Sequence, residues 1–168
     1  MTSPPVFSHP VSHRPRHRRI RWLQAVALAH LIGGLVLTWA GHTSWFDGYF
    51  ASIEQVFWSQ AAPAAARQQQ IWWMALFAAT VQSYALYMLA LIQVGDRFAD
   101  HRVWGWLMAG LLSWAPQDLW FSLRVGLWSH GVIDAVALLA LLPPLAWLYR
   151  HDRRQAVPVV SRTQGVPR

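Results

Sequence analysis

Four stretches of the chain stay apolar for long enough to cross a lipid bilayer. A crossing helix needs about 20 mostly apolar residues for roughly 30 Å of hydrocarbon. Positions 22–40, 71–94, 103–123 and 125–149 meet that length, the first with only Gln24, His30 and Thr38 as polar residues. Each reads as a helix, because a non-helical backbone in lipid leaves its amides unpaired. The alternating ten-residue pattern of a membrane barrel does not occur in the chain. Between the first two stretches, Phe46, Tyr49, Phe50, Ile53, Val56 and Phe57 recur at three- and four-residue spacing, while Asp47, Ser52, Glu54, Gln55 and Ser59 fall on other faces. This predicts an amphipathic helix over 45–60, lying in the membrane interface. Pro63 suits a helix start, so the second long helix should begin near Ala64.

The expected architecture is therefore an all-α integral membrane protein. Residues 22–150 form a bundle of four transmembrane helices, with an interfacial helix between helices 1 and 2. Residues 1–21 and 151–168 are rich in Pro, Ser, His and Arg, offer little to bury, and read as a disordered basic arm and a disordered tail.

Composition removes the competing classes. Hydrophobic residues make up 55% of the chain and charged ones 12%, about half the charged share of a soluble domain. That excludes an ordinary soluble fold, and the apolar content excludes a disordered chain. Without cysteine there is no disulfide, thiolate metal site or cysteine nucleophile. The charge is one-sided, with fourteen Arg, no Lys and seven acids, for a net +7. Arg14, Arg16, Arg18, Arg19 and Arg21 precede the first stretch and Arg150, Arg153 and Arg154 follow the last, whereas 41–70 holds only Arg67. The positive-inside rule then puts both termini in the cytoplasm, in a bacterial-type inner membrane. Orientation accounts for the arginines, so nucleic acid is not expected as a partner.

The tryptophans follow the same frame. Trp22, Trp104, Trp106 and Trp147 fall at the cytoplasmic ends, and Trp39, Trp45, Trp72, Trp73, Trp120 and Trp128 near the outer ends, as an aromatic belt requires. Ala25, Ala29 and Gly33, Ala75 and Ala79, and Gly131 and Ala135 form small-residue ridges for close helix packing. The first stretch is too long for a cleaved signal and reads as an anchor.

Candidate chemistry lies in the polar residues inside the spans. An Asp near mid-bilayer costs about 2.5–3.5 kcal/mol on insertion scales, so it normally faces protein. Only Asp118 and Asp134 of the seven acids fall within spans. His130 and Asp134, four apart, share a helix face. The short turn at 122–127 folds this helix back on the one carrying Asp118, with Arg124 in reach of Asp118 and His42 entering the same outer layer. Pro116 cannot bond the Leu112 carbonyl, so a kink is expected at Pro116 and Gln117, with Gln82, Gln117 or a water as the replacement donor.

Three readings of this cluster stay open: a buried polar network that fixes helix register, an outward site for a proton, metal or small molecule, and an acid–base pair. Asp118, His130, Asp134 and His42 are ligand types that suit zinc or iron, but no dense metal motif accompanies them, and no cofactor is strongly implied. His30 reads as a hydrogen bonder next to Gln82 rather than a haem ligand.

The layout of four spans with an interfacial segment after the first resembles, in architecture, the emopamil-binding and sigma-2 receptor group of sterol isomerases and lipid binders. Those proteins use intramembrane glutamates as acids. The single glutamate here, Glu54, lies outside the spans, so none of their residues carries over. The leading functional expectation is a non-catalytic subunit, scaffold or ligand-binding partner in the inner membrane. The alternative is a small-molecule, proton or metal-handling enzyme or transporter that uses the Asp/His cluster. The expected partners are the bilayer, a protein docked on 45–60, and further copies of the chain.

Overall fold

The structure, a computed structural model, describes residues 14–156. Helix α1 (Arg14–Ala40) leads through a short 3-10 turn (Ser44–Phe46) into α2 (Asp47–Phe57); α3 (Ala64–Phe98), α4 (His101–Arg124) and α5 (Trp128–Ala156) follow. No strand occurs among the described residues. Three helices, α1, α3 and α5, are long and apolar enough to cross a membrane. Helix α4 is as long as a span but falls outside that set, diluted by Trp104, Trp106, Trp114 and Trp120 and by the Pro116-Gln117-Asp118 run.

The connections explain the boundaries. Pro63 precedes α3 with φ −59°, ψ 143°, so the helix begins at Ala64. Ala99 closes α3 in the left-handed region, and the Asp100 carboxylate accepts the Arg102 amide at 2.9 Å to open α4. Between α4 and α5, Gly126 takes φ +83°, a conformation glycine enters without a Cβ penalty. The amphipathic segment is shorter than 45–60, since Trp58 turns extended (φ −127°, ψ 126°) and stops α2 at Phe57.

Helix α1 packs along α3 and α4 along α5, while α3–α4 and α1–α5 contacts join the two pairs. The core holds Ile20, Leu23, Ala27, Met88, Ile92, Trp104, Leu107, Leu111, Leu141, Leu145 and Leu148. The small-residue ridge between α1 and α3 is one position from the expected one. A Cβ on Gly34 would meet Gln82 Cγ at 2.8 Å and the Ala78 carbonyl at 2.9 Å, whereas one on Gly33 would meet nothing. Ala27 and Gly34 are buried while Ala25 and Ala29 are exposed; likewise Ala78 and Ala85 are buried and Ala79 is exposed. Gly131 does sit at the α4–α5 contact, against Leu119 and Leu123.

Both helical ends run past the expected limits. Helix α1 starts at Arg14 rather than Trp22, and α5 continues to Ala156 rather than ending near 150; residues 1–13 and 157–168 of the expected disordered segments lie outside the described residues. The extensions are held by one buried polar clamp. Arg16 reaches Asp96 Oδ1 at 2.6 Å and the two Asp152 oxygens at 3.1 and 3.3 Å, and also donates to the Gly95 carbonyl at 3.2 Å. Trp104 Nε1 donates to Asp152 Oδ2 at 2.8 Å. All four long helices thus meet at the Arg16–Asp152 pair, whose carboxylate residue is 1% exposed.

Burial alone would raise the Asp152 carboxyl. Hydrogen bonds from Arg16, His151 and Trp104 outweigh it and hold the group below the usual carboxylate range. A Cβ on Gly95 would lie 2.7 Å from the Trp104 ring, so the absence of a side chain there makes room for the indole. Trp104 is therefore an interior residue and not part of an aromatic belt. Trp22 has a second task as well. Pro144 has no N–H for the Ala140 carbonyl, and Trp22 Nε1 donates to that oxygen at 2.8 Å, tying α1 to α5.

Candidate metal centre

About fourteen residues along α4 from Trp104, or roughly 21 Å at 1.5 Å per residue, a second polar cluster forms. The three-residue connection after Arg124 makes α4 and α5 an antiparallel hairpin, and Asp118 on α4 faces His130 and Asp134 on α5. One ligand atom from each of these three lies within 4.8 Å of the others. His130 Nε2 is 3.5 Å from Asp118 Oδ2, with both side chains about a quarter exposed. Asp134 is 2% exposed, and its Oδ2 is buried without a hydrogen-bond partner. Asp118 also lines a shallow surface groove with Phe77, Trp114, Gln117 and Phe121.

A residue that sequence reasoning had placed only on an amphipathic face completes the group. Tyr49 on α2 approaches His130 Nδ1 with its hydroxyl at 3.3 Å. Burial raises the Tyr49 phenol above its ordinary value, and the Asp118 and Asp134 charges add to the rise, so it stays protonated. In the neutral ring, Nδ1 accepts from Tyr49 while an Nε2 proton faces Asp118. In the other tautomer Nδ1–H donates to Tyr49, and Nε2 turns a lone pair toward the two carboxylates.

Helix α2 is fixed over the cluster by Arg67 at the start of α3. Its Nε and Nη2 bond both Glu54 oxygens at 2.6 and 2.9 Å, Nη1 bonds Asp47 at 2.9 Å, and its guanidinium lies 5.1 Å from the centre of the buried Phe50 ring. The Arg67 hydrogen bonds hold the Glu54 carboxyl below its usual value.

The remaining expected residues lie elsewhere. Arg124 is exposed and forms no ion pair with Asp118 among the described residues; His130 occupies that side of the carboxylate. His42 falls just after the end of α1, exposed, and does not join the cluster. Gln117 donates to the Ser113 carbonyl at 2.5 Å rather than to the Leu112 carbonyl that Pro116 leaves free, and Gln82 bonds Thr38 Oγ1 at 2.8 Å. His30 turns back to the Val26 carbonyl at 2.8 Å within its own helix, so it is not Gln82's partner. The other buried partnerless polar atoms among the described residues, the Gln70 amide and the Tyr84 hydroxyl, lie on α3 outside the cluster.

A pair of carboxylates and an imidazole, two of them one turn apart on one helix, can hold a divalent cation or pass a proton. No protein-family model matches the chain, and no curated protein or solved structure matches it either.

Proposed function

We propose that the chain is an inner-membrane protein of four crossing helices, with both termini cytoplasmic, that binds a divalent transition-metal ion at Asp118, His130 and Asp134 near the outer side. The observation that carries this reading is the Asp134 carboxylate, which is buried with an unpaired oxygen beside a second carboxylate and an imidazole. An ionised carboxylate in such a place would carry uncompensated charge at high cost in a low-dielectric interior. A cation removes that cost. One nitrogen and two carboxylate ligands suit zinc, iron(II) or manganese, and leave open positions for water or a substrate. Tyr49 on Nδ1 would then set the His130 tautomer from outside the ligand set.

Helix α4 crosses alongside α5 in this reading, because the turn between them is only three residues long. The arginines on one side of the spans support the cytoplasmic placement of both ends. As the chain has no cysteine, single cysteines placed in either tail would report sidedness by labelling. Metal analysis of full-length protein in detergent, loaded with zinc or cobalt(II) and desalted, should give close to one ion per chain. Asp134→Asn and His130→Ala should lower that more than tenfold while the protein stays helical and monodisperse. A stoichiometry near zero in the unmodified protein, or one unchanged in both variants, defeats the reading.

The subunit or scaffold reading has one observation in its favour, since Trp45 is 84% and Phe57 54% exposed along the α2 segment. Crosslinking from position 57 in native membranes should then capture one defined protein, whereas lipid products alone would remove that reading.

A further inference from the structure

We infer that the end of α5 opposite the Asp/His cluster carries a seat for a phosphate-bearing anion, filled by the headgroup of an anionic phospholipid. Beyond the last apolar turn of α5, Trp147, Arg150, His151, Arg154 and Gln155 line one groove. Arg150 and Arg154 are four apart and share a face. Both are exposed, and neither forms an ion pair among the described residues. A third guanidinium, that of Arg19 on α1, lies 3.9 Å from the centre of the Trp147 ring.

The nearest acid does not neutralise this charge. Asp152 is buried, with its oxygens engaged by Arg16, Trp104 and His151. His151 turns Nδ1 to Asp152 at 3.0 Å, stacks on Trp147 at 4.6 Å, and meets the Gln155 amide at Nε2. The groove thus has a stacked aromatic wall, two guanidiniums one turn apart and, among the described residues, no internal counter-ion. Arginine pairs of this kind take phosphate oxygens by paired N–H bonds.

Depth selects the source. The apolar run ends at Tyr149, so residues 150–154 extend about 1.5–7.5 Å further at 1.5 Å per residue. That matches the headgroup layer, about 5–8 Å thick on each side. The Trp147 indole sits at the level where aromatic side chains anchor in the interface. The seat depends on the chain spanning a membrane and not on the metal reading.

The test uses native mass spectrometry of the full chain in neutral detergent, titrated with phosphatidylglycerol, with phosphatidylcholine, and separately with inorganic phosphate. The doubly substituted R150Q/R154Q protein is compared with R14Q/R18Q, which removes the same charge outside the groove. R150Q/R154Q should bind phosphatidylglycerol about tenfold or more weakly, at roughly 1 kcal/mol per arginine near the surface, and R14Q/R18Q within about twofold of the unmodified chain. Arg154→Gln alone should give an intermediate loss and serves if the double variant does not fold. Groove-dependent binding of inorganic phosphate but not lipid supports the anion seat with free phosphate as its source. Equal losses in R150Q/R154Q and R14Q/R18Q, or equal binding of the two lipids, overturn the proposal. The R150Q/R154Q protein should keep its metal content, which separates this result from the fate of the Asp/His site.

Discussion

Each end of the helix assembly places an aspartate inside the protein, and the two differ in what surrounds it. At one end Asp152 receives Arg16, His151 and Trp104, so its buried charge is matched and its hydrogen bonds are made. At the other end Asp134 keeps an oxygen without a partner next to a second carboxylate. The contrast separates two uses of a buried acid. A matched acid joins helices and resists change. An unmatched one, in the proposed reading, takes a cation that offsets its cost.

The largest test of that contrast is at the matched end. Removing one member of a buried ion pair strands the other, so Arg16→Ala or Asp152→Ala should cost about 3–5 kcal/mol in detergent unfolding. A loss under about 1 kcal/mol would show that the clamp does not hold the helices together. The same contact sets an acid limit. The folded Asp152 carboxyl lies below its unfolded value, so its contribution is complete above the ordinary Asp range near pH 4 and disappears as pH falls through the lower folded value. An Asp152→Asn protein should lose that acid-dependent limb in its unfolding midpoint, and an unchanged profile would place the sensitivity elsewhere.

The unmatched end should respond with the opposite sign. Asp134→Leu removes an unsatisfied buried group, so metal-free protein should gain about 1–3 kcal/mol while losing ion binding. Destabilisation by several kcal/mol would mean that Asp134 is already paired, and the comparison would collapse. A smaller effect concerns the Trp22 tether. Trp22→Phe should cost about 1 kcal/mol, and less when Pro144→Ala restores a helical N–H for the Ala140 carbonyl; additive losses in that double-mutant cycle count against the tether. Smallest in global terms is Arg67→Gln, which should leave the unfolding midpoint nearly in place but speed amide exchange over 47–57. Unchanged exchange there would show that Arg67 does not fasten α2.

The unmatched end was legible in the sequence and the matched end was not, for a physical reason. Asp118, His130 and Asp134 lie on one hairpin, so helical periodicity and a short turn suffice to bring them together. Tyr49 escaped because its approach depends on how α2 is laid down by Arg67. Arg16, Asp96, Trp104 and Asp152 join four helices, and each had an adequate local explanation as a flanking charge or an interface aromatic. The positive-inside pattern concealed Arg16 among its neighbours. The α1–α3 ridge was missed by a single residue because one step turns a helix by about 100°, and only the partner helix sets the phase. Arg124 and His42 were placed correctly along the chain but in the wrong direction, and the exposed position of each followed from helix ends that periodicity does not resolve.

The clamp also has a meaning for biosynthesis. Arg16 is bonded to a carboxylate that lies 136 positions later in the chain, whereas the whole Asp/His cluster except Tyr49 is contained in one late hairpin. As the polypeptide leaves the ribosome, Arg16 therefore waits for 136 further residues before Asp152 follows, and Asp96 is the earlier of its two acidic partners to emerge. That contact with Asp152 cannot form until α5 has been made. A product truncated before Asp152 lacks it and leaves the Trp104 indole N–H without its acceptor. Synthesis through α5 is thereby written into the pairing of α1 with α5.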